Sequence, residues 1–262
     1  MDTNIKYLVD NGCNIWNKDA YNYYLKDYES YDTTASFDEF IKEVKDDSSI
    51  LNLGDLGKVY GHYWRNFDDV DQITELINNM VNKPMSSELI VSARNPSHKD
   101  LQALPCCHYG FQIVVRPLNK IKCDCSESQA IYCGSKCQIP QYGFELHWSQ
   151  RSTDLFLGAP FNIASYATLA LILEKITGYK ALAIQGDLKK VHLYDNSLDA
   201  VKEQLSRNVD KYSECKLKMD VLTEVQFKSG IKHINEIESG SFKLINYESY
   251  PHIKVEMLSR NE

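Results

Sequence analysis

The sequence predicts an α+β fold, and two observations carry that prediction. Four runs, residues 89–94, 111–115, 143–148 and 181–185, have the length and the β-branched and aromatic content of strands. Residues 160–177 read as a helix with proline at its start and Gly178 just past its end. That helix is apolar almost all round (Phe161, Ile163, Ala167, Leu169, Leu171, Leu173), so it belongs in the middle of the protein. Strands and helices do not alternate regularly, and no repeat stands out, a pattern that suits α+β.

The remaining elements follow in order. Ser36 and Glu39 fit a capping box before Phe40, Ile41 and Val44, so a short helix starts there. Ile73, Leu76, Ile77, Met80 and Val81 fall on one face of a helix over 71–81. Leu198, Val201 and Leu205 do the same over 197–207. Weaker strands are expected around 191–194, 216–219 and 242–246. Residues 21–49 and 119–141 read as insertions, and 1–262 as a single domain without a dividing linker. The tyrosines at 21–24 are expected to pack as a helix face rather than stack on bases.

The chain has 262 residues, of which 43% are hydrophobic, enough for a sizeable core without disulfides. Its 36 acidic residues outweigh 29 basic ones, for a net charge of −7. This balance argues against DNA coating or binding to an anionic membrane, since both need clustered Lys and Arg. A local basic pocket for one phosphate is still compatible with it. The N-terminus shows no basic, then apolar, export pattern, and no apolar run is long enough to span a bilayer. The eight cysteines are therefore expected to be reduced thiols in a cytoplasm. Cys123, Cys125, Cys133 and Cys137 lack the paired C-x-x-C spacing of well-attested zinc sites, which leaves a structural zinc or free thiols open. No metal ligand is assigned.

Two segments carry chemistry. In Leu104-Pro-Cys-Cys-His108, a cysteine ahead of a strand is a candidate nucleophile if positive charge stabilises its thiolate; the alternative is a buried thiol pair. In residues 150–167 a polar turn leads into the apolar helix. Arg151 and Ser152 can bind a phosphate. Asn162 is a carboxamide in the first turn of that helix. It either finds backbone partners or reads a pyrimidine edge that offers a carbonyl beside a ring N–H.

Residues 150–167 resemble the signature of the thymidylate synthase family. Leu104-Pro-Cys-Cys-His108 resembles its nucleophile motif, with Cys107 at the nucleophile position and Cys106 where the family usually has proline. Further similar segments follow in the family's order: Asp2-Thr-Asn-Ile-Lys-Tyr-Leu8, Asn14-Ile-Trp16, Gly54 to Gly61, Trp64-Arg65, Asp71-Gln-Ile73, His192-Leu193-Tyr194 and Ile253-Lys-Val-Glu-Met257. The resemblance thus covers nearly the whole chain. It implies a mixed sheet packed with helices around a long buried central helix. It also implies reductive C5-methylation of dUMP to dTMP, with 5,10-methylenetetrahydrofolate as co-substrate, in a homodimer.

By the same resemblance, Cys107 adds to C6 of the uracil and Arg151 stabilises the thiolate and holds the 5′-phosphate. Ser152, Thr153 and Asp154 match the other phosphate and ring contacts, and Asp154 also touches the folate. Asn162 reads O4 and N3–H, where cytosine-specific relatives carry a carboxylate. His192, Leu193 and Tyr194 belong to the sugar motif. Trp16 and Leu258 match the folate site, and Tyr60, His108 and Gln112 order the surrounding water. A dUMP hydroxymethylase or a truncated, non-catalytic homologue are the alternatives. Substitution of Cys107 is expected to abolish activity and that of Cys106 to be tolerated.

Several positions depart from the family pattern. The matches begin where the family's sequence is already under way. An Arg, a His and a Glu of the family are therefore expected to be missing if Met1 is the start. Ser87 and Glu88 stand where two consecutive arginines normally reach the partner's phosphate, and an acid there should repel one. Arg94 and Asp19 stand in place of tryptophans, and Lys189-Lys-Val191 replaces a Gly/Asp-rich approach to the sugar motif.

Overall fold

Local signals set the first elements. The computed structural model describes residues 3–27, 35–46, 53–118, 142–219, 234, 237, 239–256 and 258. Its N-terminal part holds α1 (Lys6–Asp10), α2 (Asn17–Asp27), α3 (Phe37–Lys45), α4 (Gly61–Arg65) and α5 (Gln72–Asn82). The Ser36–Glu39 capping box starts α3 as the sequence predicts. Asp71 caps α5 by accepting from the Thr74 N–H at 3.1 Å, and its carboxylate also takes a two-nitrogen fork from Arg65. The five-residue α1 and α4 are too short to show a helical period in sequence.

Strand alternation sets the sheet. β1 (Ile90–Ser92), β2 (His108–Pro117) and β3 (Tyr142–Gln150) pair antiparallel. Phe111 lies opposite Trp148, Ile113 opposite Leu146 and Val115 opposite Phe144, and all six are buried. After the two-residue β4 (Thr153–Asp154), α6 (Gly158–Thr177) crosses over so that β5 (Lys180–Leu188) runs parallel to β3. The sheet is thus mixed, in the order β1-β2-β3-β5. Gly178, at φ 71°, ends α6 in the left-handed conformation that suits glycine. The rest is β6 (Val191–His192), α7 (Leu198–Ser206), β7 (Lys216–Met219) and β8 (Phe242–Ile245), with β4 paired to β6 and β7 to β8.

Two apolar clusters result. The first joins the inner sheet face to Ile73, Leu76, Ile77 and Met80 of α5 and to Tyr166, Leu169, Ala170, Leu173 and Ile176 of α6. The second gathers Ile5, Val9, Phe40, Val44, Leu56, Val59, Tyr63 and Cys106. Tyr60 packs against both, so it stands at their seam.

The segment read as an insertion at 21–49 contributes to the core: Phe40 and Val44 of α3 are buried, and Tyr21 packs on Phe37 and Phe40. One expectation is corrected. The central helix is not buried all round. Its inner stripe is enclosed, but Phe161 and Ile163 in its first turns are 50% and 47% exposed. Cys123, Cys125, Cys133 and Cys137 lie outside the described residues. Among the described residues no helix is long and apolar enough to cross a membrane.

Candidate active site

Cys107 precedes β2, and Arg151 follows β3, the strand paired with it. The end of that ladder brings the two together: Arg151 N–H donates to the Cys107 carbonyl at 2.8 Å. The Arg151 side chain turns back along the same segment. Its Nε donates to the Cys106 carbonyl at 3.0 Å and its Nη2 to the Pro105 carbonyl at 2.6 Å. Nη2 also lies 3.8 Å from Cys107 Sγ. Among the described residues Nη1 has no partner, so one edge of the guanidinium stays open for an anion. The guanidinium thus places a fixed cation beside the Cys107 sulfur.

The neighbours of Cys107 are enclosed. Tyr60 O–H accepts from the Cys107 N–H at 3.0 Å, and its ring stacks on His108 at 3.9 Å. Burial, then the nearby thiols of Cys107 and Cys106, hold the Tyr60 phenol well above its ordinary range, so it stays protonated. Burial pushes His108 down to about 4, so its imidazole is neutral. His108 Nδ1 lies 2.8 Å from the Tyr166 hydroxyl, and Tyr166 stacks on Trp148 in the core. Cys106 faces the second cluster, 2% exposed, and burial raises its thiol to about 11.

Asn162, in the first turn of α6, is oriented by a residue that sequence reasoning missed. Gln150 Nε2 donates to Asn162 Oδ1 at 3.1 Å and to the Ser152 carbonyl at 3.0 Å. Trp148 Nε1 donates to Gln150 Oε1 at 3.4 Å. The signal was in the alternation: Phe144, Leu146, Trp148 and Gln150 share one strand face, and a polar residue ending a buried row needs partners. Asn162 keeps its Nδ2 free among the described residues, while Oδ1 retains a second lone pair. Asp154 Oδ1 accepts from the N–H groups of Phe156 and Leu157 at 3.1 and 3.3 Å, shaping the turn into α6. β4–β6 pairing sets Asp154 opposite His192. His192 Nδ1 bonds to the Lys190 carbonyl at 2.8 Å and its ring meets Tyr194 edge-on. Leu193 between them is exposed.

Other expected residues separate. Ser152 is half-buried beside Arg151. Thr153 is fully buried, its N–H pairs with the Lys190 carbonyl, and its hydroxyl has no partner among the described residues. Gln112 lies on the outer sheet face, where it donates to the Ser87 carbonyl at 2.9 Å, away from the Tyr60–His108 pair. Strand alternation explains this, because Phe111 and Ile113 on either side point inward. Glu88 lines a cavity of about 250 Å³ with Glu75 and Gln72. Trp16 is joined to the site, its ring 6.0 Å from that of Tyr60. The C-terminal segment is too: Glu256 pairs with Lys18 at 3.4 Å, and its carbonyl accepts from Asn196 at 2.7 Å. Leu258 follows, half-buried. Phe161, next to Asn162 in sequence, is half exposed, which the all-round hydrophobicity of α6 concealed.

Comparisons with known proteins agree with this geometry. The thymidylate synthase family model matches residues 1–259. The thymidylate synthase of Malacoplasma penetrans is 38% identical over 254 residues, 97% of this chain and 76% of that protein. That of Mycoplasma mobile is 35% identical over 257 residues, 98% of this chain and 77% of that protein. The crystal structure of thymidylate synthase from T4 phage superposes with a TM-score of 0.62 at 30% identity, covering 93% of this chain and 82% of the other. By matched length, identity and fold, the chain belongs to the thymidylate synthase family.

Proposed function

We propose that the chain carries out the thymidylate synthase reaction, reductive C5-methylation of dUMP to dTMP, with Cys107 as nucleophile. The observation that carries this reading is the Arg151 guanidinium, 3.8 Å from Cys107 Sγ with one edge still open. The Cys107 thiolate adds to C6 of the uracil, which makes C5 a carbon nucleophile. The co-substrate, 5,10-methylenetetrahydrofolate, supplies the one-carbon unit and then a hydride; the C5 proton is lost between those events, and arrival of the hydride expels the Cys107 thiolate from C6, leaving dTMP and dihydrofolate.

The roles of the protein groups follow from their chemistry. Arg151 stabilises the thiolate with Nη2 and offers Nη1, with Ser152, to the 5′-phosphate. Asn162 donates from Nδ2 to O4 and accepts N3–H on Oδ1, held by Gln150. His192 and Tyr194 take the sugar. Neutral His108 and protonated Tyr60 are proton-bearing groups beside the sulfur. Trp16, Phe161, Asp154 and Leu258 form the folate side, a reading supported by the Trp16–Tyr60 contact and the tail held at Lys18 and Asn196.

A homodimer through the outer sheet face is part of the proposal, supported by Gln112, Val114, Glu145 and His147, none of which is buried in the single chain. A cytoplasmic setting suits Cys106 and Cys107, which are thiols and not disulfide-bonded. Incubation with the 5-fluoro analogue of dUMP and the folate tests the reading by intact mass. A covalent adduct on Cys107 is expected; an unmodified protein at saturating nucleotide would overturn it.

A further inference from the structure

Cys106 has no part in the reaction just described, yet its sulfur is not idle. Tyr60 N–H donates to Cys106 Sγ at 3.4 Å, while the Tyr60 hydroxyl accepts from the Cys107 N–H at 3.0 Å. Two adjacent residues of one segment thus grip both ends of one tyrosine. We propose that Cys106 is a positioning residue for the nucleophile: its sulfur fixes the backbone of Tyr60, and through it the hydroxyl that meets Cys107. The proposal rests on the thymidylate synthase reading only for its turnover measurement.

Three features support it. Both carbonyls of the Cys106–Cys107 segment are held, that of Cys106 by Arg151 Nε and that of Cys107 by the Arg151 N–H. What can still vary is where Tyr60 stands against that fixed segment. Tyr60 packs on both apolar clusters; stacking on His108 ties its ring to the sheet side, and the sulfur bond ties its backbone to the cluster that contains Cys106. Finally, Cys106 stands where the resemblance puts proline, whose ring carries no acceptor. Because the buried Cys106 thiol stays neutral at pH 7, it serves as a hydrogen-bond acceptor and does not compete with Cys107 as a nucleophile.

The test compares full-length native protein with Cys106→Ala and Cys106→Ser. Two quantities are measured: kcat and KM for dUMP with the folate, and the pH profile of Cys107 alkylation by iodoacetamide, mapped by peptide mass. The sequence alone leads to the expectation that Cys106 substitution is tolerated; with the Tyr60 bond in view, misplacing the Tyr60 hydroxyl is instead expected to lower kcat about tenfold in C106A with KM nearly unchanged. The Tyr60 hydroxyl holds the Cys107 N–H, so its displacement should move Cys107 relative to Arg151 and shift the alkylation profile away from the native one. C106S retains an acceptor and should recover most of the rate and the native profile. Native-like kcat and profile in C106A would overturn the proposal. So would C106S and C106A slowing equally in step with a shared loss of Tm, since packing alone would then explain both. If C106A does not fold, Cys106→Val, similar in volume and without an acceptor, takes its place. The alkylation profile needs no substrate, so it decides the positioning role even if no turnover is found; absent turnover in native protein would count against the function alone.

Discussion

The two ends of the site are built differently. At the thiol end, Arg151, Tyr60, Cys106 and Cys107 are joined by hydrogen bonds of 2.8 to 3.4 Å among segments far apart in sequence. His108 and Tyr166 are enclosed behind them. At the sugar and tail end, His192 sits on a two-residue strand, and the tail is held by the Lys18–Glu256 pair and the Asn196 bond to the Glu256 carbonyl, all exposed. A preorganised polar environment acts on the transition state without reorganising, whereas a segment held by exposed contacts opens at little cost. The first end should therefore govern rate and the second retention of ligands.

Variants at the thiol end test this division first. Cys107→Ala should abolish adduct formation and lower turnover by more than about a thousandfold, because no other group supplies the covalent step. A mutant still forming a nucleotide adduct by mass would move the nucleophile elsewhere. Arg151→Lys should lower kcat/KM by about a hundredfold or more, since a point charge cannot hold two carbonyls, the thiolate and a phosphate from one planar fork. Steady-state kinetics with dUMP check it. Asn162→Asp should reduce kcat/KM for dUMP by about a hundredfold and raise the relative rate on dCMP, whose amino group a carboxylate can accept. An unchanged preference between the two bases would remove Asn162 as the base reader.

What the sequence revealed followed the same division. The strands, the capping box at Ser36 and the apolar length of α6 were legible, because alternation, capping and burial are local in sequence. Cys107 and Arg151 were legible as motifs, but their meeting depends on β2–β3 pairing across some forty residues. Three things were not. Gln150 looked like the end of a strand until Asn162 was seen beside it. Gln112 was placed at the site by resemblance, yet alternation turns it to the other face. The exposure of Phe161 was hidden because hydrophobicity alone does not distinguish an exposed face from a core.

The buried His108 gives the rigid end a pH signature. Its folded value of about 4 lies below the unfolded value of about 6.5, so the unfolded chain takes up the proton first as pH falls. The stability due to neutral burial is intact above about pH 6.5 and lost progressively down to about pH 4, by on the order of 3 kcal/mol. Urea unfolding at pH 7.5 and pH 4.5, for native protein and His108→Gln, isolates this component. The native protein should lose more stability between the two pH values than the variant does; equal losses would mean that the imidazole is not held neutral.

The smallest expected effect lies at the loose end, where the contrast between rate and retention is sharpest. Lys18 is on α2 beside Trp16, Asn196 follows Tyr194, and Glu256 touches both, so one residue ties the tail across the proposed folate and sugar sides. Both charges are exposed, at 38% and 76%, and such a pair contributes less than about 1 kcal/mol, reduced further by salt. Lys18→Glu and Glu256→Lys should each raise KM for the folate by about two- to fivefold at low salt, with kcat nearly unchanged. The double exchange should restore the native KM, because it reverses the pair without removing it. In high salt all four proteins should converge. A fall in kcat at constant KM would break the comparison, since the tail would then act on the chemistry itself.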